Sequence, residues 1–345
     1  MSGQSYDLKQ LIGVVARGES LSVEQSRAAF DIIMSGDATP AQIGGFLMAL
    51  RVRGETVDEI TGGVMTLRAK STKIKAPKGA IDVVGTGGDA HGTYNISTAT
   101  AFVVAGAGVI VAKHGGRAAS SKSGAGDVLT ALGVNLDADM ALVQQALSDI
   151  GICFMFAPRH HGAMRNVAGP RVELGTRTIF NLLGPLSNPA GVKRLHIGVF
   201  DRGWIEPIAE VLGKLGAERA WVVHGADGMD ELTTTGPSYV AELDNGAIKT
   251  FEVSPGDAGL AKSKLDDLKG GDPEINAAAM RAVFAGEAGA YRDIVLYNAA
   301  AALIVAGRVD DLKAGVKRAA EAIDSGAAQG KLDALVGITN SGGSA

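Results

Sequence analysis

Cysteine is nearly absent. The 345 residues hold one, Cys153. No intrachain disulfide can form, and a reducing cytoplasm is the expected setting. Cys153 lies in the apolar run ICFMF (152–156), where a buried strand thiol is a better reading than a nucleophile. Aromatics are sparse, at 5 %. Prolines number 10, and the 48 glycines follow no three-residue period, which excludes a collagen-like rod. No sign of charge dominates. The net charge of −4 argues against a generally basic nucleic-acid surface and leaves room only for a local basic groove. The opening MSGQSYDLKQ has neither a basic nor an apolar signal-peptide region, so none is expected. The uncharged stretch 92–112 is long enough to span a bilayer, but Gly106 and Gly108 interrupt it, so it reads as helix, turn and buried strand. No membrane association is expected.

What is present suits a globular chain. Apolar residues make up 46 % and charged residues 20 %, and the length suggests two domains. In the first seventy residues, Ser22/Gln25, Thr39/Gln42 and Thr56/Glu59 each match a capping box, with Pro40 at a first helical position. A helical bundle is predicted there, followed by a polar linker over 71–78. From Ile81 the pattern changes. The runs IDVV (81–84), VIVAKH (109–114), ICFMF (152–156), LHIGVF (195–200) and AWVVHG (220–225) read as strands. Helical segments are predicted near 97–106, 124–132, 138–150, 205–215, 273–284 and 291–306. Such alternation implies a mostly parallel sheet covered on both faces. Asn245-Gly246 between two alternating runs signals a hairpin. The expected fold class is α/β, with a small helical domain over 1–75 and a larger α/β domain over 76–345.

Four segments carry chemistry. In IDVVGTGGDAHGTYNIST (81–98) a strand ends in Gly85, Gly87, Gly88 and Asp89, and a helix begins near Asn95–Ser97. Glycines admit an anion close to backbone N–H groups, and the new helix adds its N-terminal dipole. A phosphate or pyrophosphate site is the reading, against a plain βα turn. A nicotinamide site fits less well, because the next strand ends in Lys113-His114 and not in an acid. A Walker A loop fails, since no Gly-Lys-Ser/Thr follows. The segment 113–129 gathers Lys113, His114, Arg117, Lys122 and Ser120, Ser121 and Ser123 after the next strand. It suits a phosphorylated ligand or, more plainly, a solvated basic loop. After AWVVH, Asp230 and Glu231 form an adjacent carboxylate pair, a hard-oxygen set for Mg²⁺ when a substrate phosphate is near. The segment 157–191 holds His160, His161 and four arginines, of which Arg171 is the best candidate to clamp a carboxylate.

Together GTGGD (85–89), NIST (95–98), KHG and Arg117, SSKSG (120–124), Asp230-Glu231 and RTIFNLLGPLSNPAG (177–191) resemble the signature stretches of the anthranilate phosphoribosyltransferase family, in the same order. The resemblance covers nearly the whole chain. It implies a nucleoside-phosphorylase-like fold, a return of the chain to the helical domain near 170–190, and a homodimer through that domain. It implies transfer of the phosphoribosyl group from phosphoribosyl pyrophosphate to anthranilate, in tryptophan biosynthesis. By this likeness Gly85, Gly87, Gly88, Asp89, Thr93, Asn95, Ser97, Thr98, Lys113 and Ser121 hold phosphoribosyl pyrophosphate. Ser97, Asp230 and Glu231 serve Mg²⁺. Lys113 and the acidic pair assist departure of pyrophosphate. Arg171, His114 and Gly85, with Pro158 and His161 further out, line the anthranilate route, and Gly116 stands at a position that touches the acceptor. The chain departs from the family in Gly116, where Asn is usual, and in Gly162, where Pro is usual. A pyrimidine nucleoside phosphorylase and a non-catalytic nucleic-acid-binding relative remain the competing readings.

Overall fold

The computed structural model describes residues 6–88, 91–118 and 122–342. Four helices come first: α1 Leu8–Ala16, α2 Val23–Ser35, α3 Pro40–Arg53 and α4 Val57–Lys70. All three predicted capping boxes are made, with each hydroxyl accepting from the N3 backbone and each N3 side chain accepting from the cap. Two orphan N–H groups at each helix start are thereby satisfied. Phe30 stacks edge-on against both Phe46 and Phe180, at 5.8 and 5.7 Å between ring centroids, and is fully buried.

The α/β part runs β1 Ile81–Gly85, α5 Ile96–Gly106, β2 Val111–Gly115, α6 Ala125–Ala131, α7 Met140–Asp149 and β3 Ile152–Phe156. The chain then leaves the sheet through α8 Ala157–His160, α9 Arg165–Leu174 and α10 Phe180–Leu186. Of these, α9 packs on α2 and α3, and α10 on α4. Arg68 donates to the Leu186 carbonyl at 2.9 Å, which ties the last bundle helix to the end of this excursion. The sheet resumes with β4 Arg194–Gly198, α11 Ile205–Lys214, β5 Arg219–Gly225, β6 Ser238–Asp244 and β7 Ala247–Val253. Four helices close the chain: α12 Pro273–Phe284, α13 Ala290–Val305, α14 Leu312–Asp324 and α15 Ala327–Asn340.

The seven strands lie in the order β3-β2-β1-β4-β5-β6-β7. The first five are parallel and the last two antiparallel. The hairpin turns at Asn245 and Gly246 with φ of 47° and 92°, the left-handed pair that an Asn-Gly turn supplies. Helix α13 is buried on every side from Ile294 to Val305 and packs against α5, α14, β4 and β5. A helix buried on all sides is a core element, not a surface one. No helix among the described residues is long and apolar enough to cross a membrane. Cys153 is fully buried in β3, and burial pushes its thiol far above the ordinary range, so it is inert packing.

Strand order reverses between β1, whose successor β2 lies to one side, and β4 on the other. Parallel α/β sheets open a crevice at such a switch point, outside the carboxyl ends of the strands.

Candidate active site

A cleft of about 320 Å³ lies there. The loop after β1, the start of α5, the end of β2 and the Asp230-Glu231 loop all line it. Gly85, Gly87, Gly88, Thr93, Asn95, Ser97, Lys113, His114, Gly116, Asp230 and Glu231 all line it. A larger groove of about 730 Å³ beside α11 and β7 contains none of them.

Two glycines let the acidic loop come this close. A Cβ on Gly198, at the end of β4, would sit 1.4 Å from the Asp230 carbonyl oxygen. A Cβ on Gly85 would sit 2.4 Å from Asp230 Oδ2. At Gly198 the clash is with backbone, so that position demands glycine, and at Gly85 a side chain would push the Asp230 carboxylate aside. The Gly87 N–H donates to Asp230 Oδ2 at 2.7 Å, joining the glycine loop to the carboxylate. The acidic loop is itself fixed. Asn298 of α13 exchanges two hydrogen bonds with Leu232, at 3.0 and 2.9 Å. Asp227 accepts from Thr233 and Thr235, both at 2.7 Å. Asp230 and Glu231 are each only 8 % exposed.

Lys113 is buried. Its ammonium donates to the Val83 carbonyl at 2.6 Å and reaches Ser97 Oγ at 3.4 Å. Burial pushes its pKa down, while Asp82, Glu231 and Asp230 pull it back up. His114 is buried and held well below the usual histidine range, first by desolvation and then by His161. Its ring lies edge-on to His161 at 5.1 Å. Burial also takes His161 down to about 4. Both imidazoles are therefore neutral near pH 7, and neither is a cationic phosphate ligand.

Other predicted residues stand apart. Thr98 is 1 % exposed inside α5 and does not line the cleft. Pro158, His161 and Arg171 also lie outside its lining. Arg171 sits over the Phe180 ring, 5.2 Å from its centroid. His160 is structural: Nδ1 bonds the Thr72 carbonyl at 2.8 Å. Asn95 lines the cleft, yet its amide donates to the Ser123 carbonyl and its Oδ1 accepts from Ser123 and Asn276, at 3.1, 3.1 and 2.9 Å. It holds two ligand loops together. Asp89 and Ser121 lie outside the described residues.

The sequence reading passed over Arg177 and Asn181, which also line the cleft. Arg177 donates to the Gly88 carbonyl and stacks over Phe200 at 4.2 Å. Arg177 and Asn181 both fall within the stretch 177–191, where no local pattern marks either as a wall residue.

A glycine loop, a buried ammonium and an acidic pair around one crevice define a transferase site for a phosphorylated sugar. The sequence matches the glycosyl transferase family, a/b domain, over residues 77–329. Residues 9–71 match its helical bundle domain. The anthranilate phosphoribosyltransferase of Rhodospirillum rubrum is 63 % identical over 332 residues, covering 96 % of both chains. That of Azospirillum brasilense is 61 % identical, covering 98 % of this chain and 95 % of its own. The Thermus thermophilus enzyme structure superposes with a TM-score of 0.91 at 42 % identity, over 96 % of this chain and 99 % of that one. The Saccharomyces cerevisiae enzyme, solved with phosphoribosyl pyrophosphate and Mg, gives 0.89 at 28 % identity, over 97 % and 98 %. The chain belongs to the anthranilate phosphoribosyltransferase family.

Proposed function

We propose that this chain transfers the 5-phosphoribosyl group from phosphoribosyl pyrophosphate to anthranilate, releasing pyrophosphate, in tryptophan biosynthesis. The observation that carries this reading is the convergence of the glycine loop, Lys113 and Asp230-Glu231 on one cleft.

The donor set fits Mg²⁺. Ser97, Asp230 and Glu231 are hard oxygen donors on one wall, and Mg²⁺ takes a few such groups beside substrate phosphates and water. Substrate oxygens and water would complete the shell. When bound, the ion neutralises charge on pyrophosphate as it leaves.

The protein's own groups do the rest. Backbone N–H groups of the loop after β1 and the N-terminus of α5 receive the phosphates. Lys113 offsets negative charge developing on the leaving oxygen. The C1–O bond of the ribose breaks with its electron pair going to pyrophosphate, and the amine lone pair forms the new N–C1 bond. The amine proton then passes from nitrogen to water or to the released pyrophosphate. An aromatic amine is already a free base at neutral pH, so the site needs orientation more than a general base. The neutral His114 and His161 agree with that economy. The acceptor route passes Gly116 and His114, with Pro158, His161 and Arg171 further out. Asp89 and Ser121 complete the phosphoribosyl pyrophosphate set.

The helical domain forms a homodimer in this reading. Val52 at the end of α3 and Val172 on α9 are 82 % and 81 % exposed, on two helices that pack together. The setting is cytoplasmic.

The test is product identification. Incubated with phosphoribosyl pyrophosphate, anthranilate and MgCl₂, the protein yields N-(5-phosphoribosyl)anthranilate by mass spectrometry. Phosphorolysis of thymidine with orthophosphate, and no such product, would instead make it a nucleoside phosphorylase.

A further inference from the structure

Asp82 lies on β1, three residues before Gly85, and is fully buried. It does not line the cleft. A carboxylate in such a place is strongly disfavoured unless its oxygens are paired. Here they are. Oδ1 accepts from the His114 N–H at 3.1 Å, and Oδ2 accepts from Asn188 Nδ2 at 2.7 Å. Asn188, also fully buried, donates on to the Ala112 carbonyl at 2.9 Å, and its Oδ1 accepts from the Ala190 N–H at 2.8 Å. Asp82 and Asn188 thus grip the backbone on both sides of Lys113. Three carboxylates act on the Lys113 ammonium: Asp82, Glu231 and Asp230. Two of them, Asp230 and Glu231, line the cleft. Of the three, only Asp82 is committed to the protein interior.

We infer that Asp82 is a positioning residue for phosphoribosyl transfer, which with Asn188 fixes the backbone of the 112–114 segment and so the place of Lys113 at the cleft. This rests on the reaction proposed above and names a group that the cleft itself does not show. Burial raises the Asp82 carboxyl to about 6, while the charge of Lys113 and the hydrogen bonds from Asn188 and the His114 N–H act against that rise.

Asp82→Asn keeps the shape, removes the charge and turns one accepting oxygen into a donor facing another donor. Two readouts are made beside the parent. Calorimetric titration with pyrophosphate in MgCl₂ reports the site without turnover, and kcat is taken at saturating substrates. Both are expected to fall by roughly tenfold, the size of one lost charge-assisted interaction. Glu59→Gln supplies the control, since Glu59 is an equally buried, hydrogen-bonded carboxylate in α4, away from the cleft. It should lower the melting temperature and leave pyrophosphate affinity unchanged. Loss of affinity below roughly fivefold in Asp82→Asn, or an equal loss in Glu59→Gln, overturns the inference. Should Asp82→Asn not fold, Asn188→Ala is judged by the same titration and the same threshold. A parent without turnover would count against the proposed reaction, and the pyrophosphate titration would still decide the role of Asp82.

Discussion

Asp230 and Glu231 are consecutive carboxylates held at 8 % exposure by a loop that Asn298, Asp227 and two glycines lock in place. Exposed acidic pairs are ordinarily solvated surface, whereas these two are buried at the cleft together with the Lys113 ammonium, where a phosphate-bound cation would meet them. Asp230→Asn combined with Glu231→Gln should nearly abolish turnover while far-UV circular dichroism stays that of the parent. Turnover within twofold of the parent at saturating Mg²⁺ would remove the metal role. Gly116 gives a second residue-scale test. It has no positive φ, and a Cβ there would meet nothing within 4 Å. Gly116→Asn is therefore free of strain and adds an amide on the acceptor route. The anthranilate KM should drop by up to roughly tenfold, one hydrogen bond to a charged group, with the KM for phosphoribosyl pyrophosphate unchanged. An unchanged or higher anthranilate KM would show that Gly116 does not face the acceptor. Histidines supply a third test. Burial lowers His161 and His196 to about 4 from 6.5. Their folded pKa values lie below the unfolded ones, so the stability they carry is complete above pH 6.5 and lost as pH falls toward 4, up to roughly 3 kcal/mol each. Asp82, raised to about 6 from 3.8, acts with the opposite sign over part of that window, but the two histidines outweigh it. The melting temperature should fall between pH 6.5 and 4.5, and His196→Gln should make that fall shallower. An unaltered slope would refute the assignment of His196.

At the scale of elements, Gly198 decides how β4 meets the acidic loop. Gly198→Ala forces the Asp230 backbone away, because no real Cβ tolerates a neighbour at 1.4 Å. Both the melting temperature and kcat should fall, and a crystal structure of the variant should show residues 226–231 displaced. A variant with parental kcat would mean that this approach is not needed. The elements themselves were unevenly legible. The capping boxes at Ser22, Thr39 and Thr56 announce three helices because their hydroxyl-and-amide pattern is local. The strands show as short β-rich runs, and β3 matches ICFMF residue for residue. Helices α14 and α15 lie beyond the predicted segments, although α14 is clearly amphipathic, with Leu312, Ala319, Ala322 and Ile323 on its buried face. Helix α9 buries only Val167, and α10 carries Pro185 inside it, so neither reads as a regular amphipathic helix. The glycine loop, Lys113 and the acidic pair were visible because each cluster is contiguous. Asp82, Arg177 and Asn188 were not, because their roles come from partners 32, 89 and 106 residues away in sequence.

At the scale of the whole molecule, the excursion through α8, α9 and α10 couples the helical bundle to the sheet. Val52 and Val172 stand exposed on that bundle. The protein should sediment as a dimer, and Val52→Glu with Val172→Glu should convert it to a monomer; a parental sedimentation coefficient for that variant would place the interface elsewhere. The central claim concerns the cleft and the reaction it runs, and loss of anthranilate fluorescence measures it most directly. With phosphoribosyl pyrophosphate and MgCl₂ both present, fluorescence should decline in proportion to enzyme. It should hold steady when either is left out, and when Asp230 and Glu231 are replaced together. Steady fluorescence with the complete mixture, from a folded parent protein, would contradict the account.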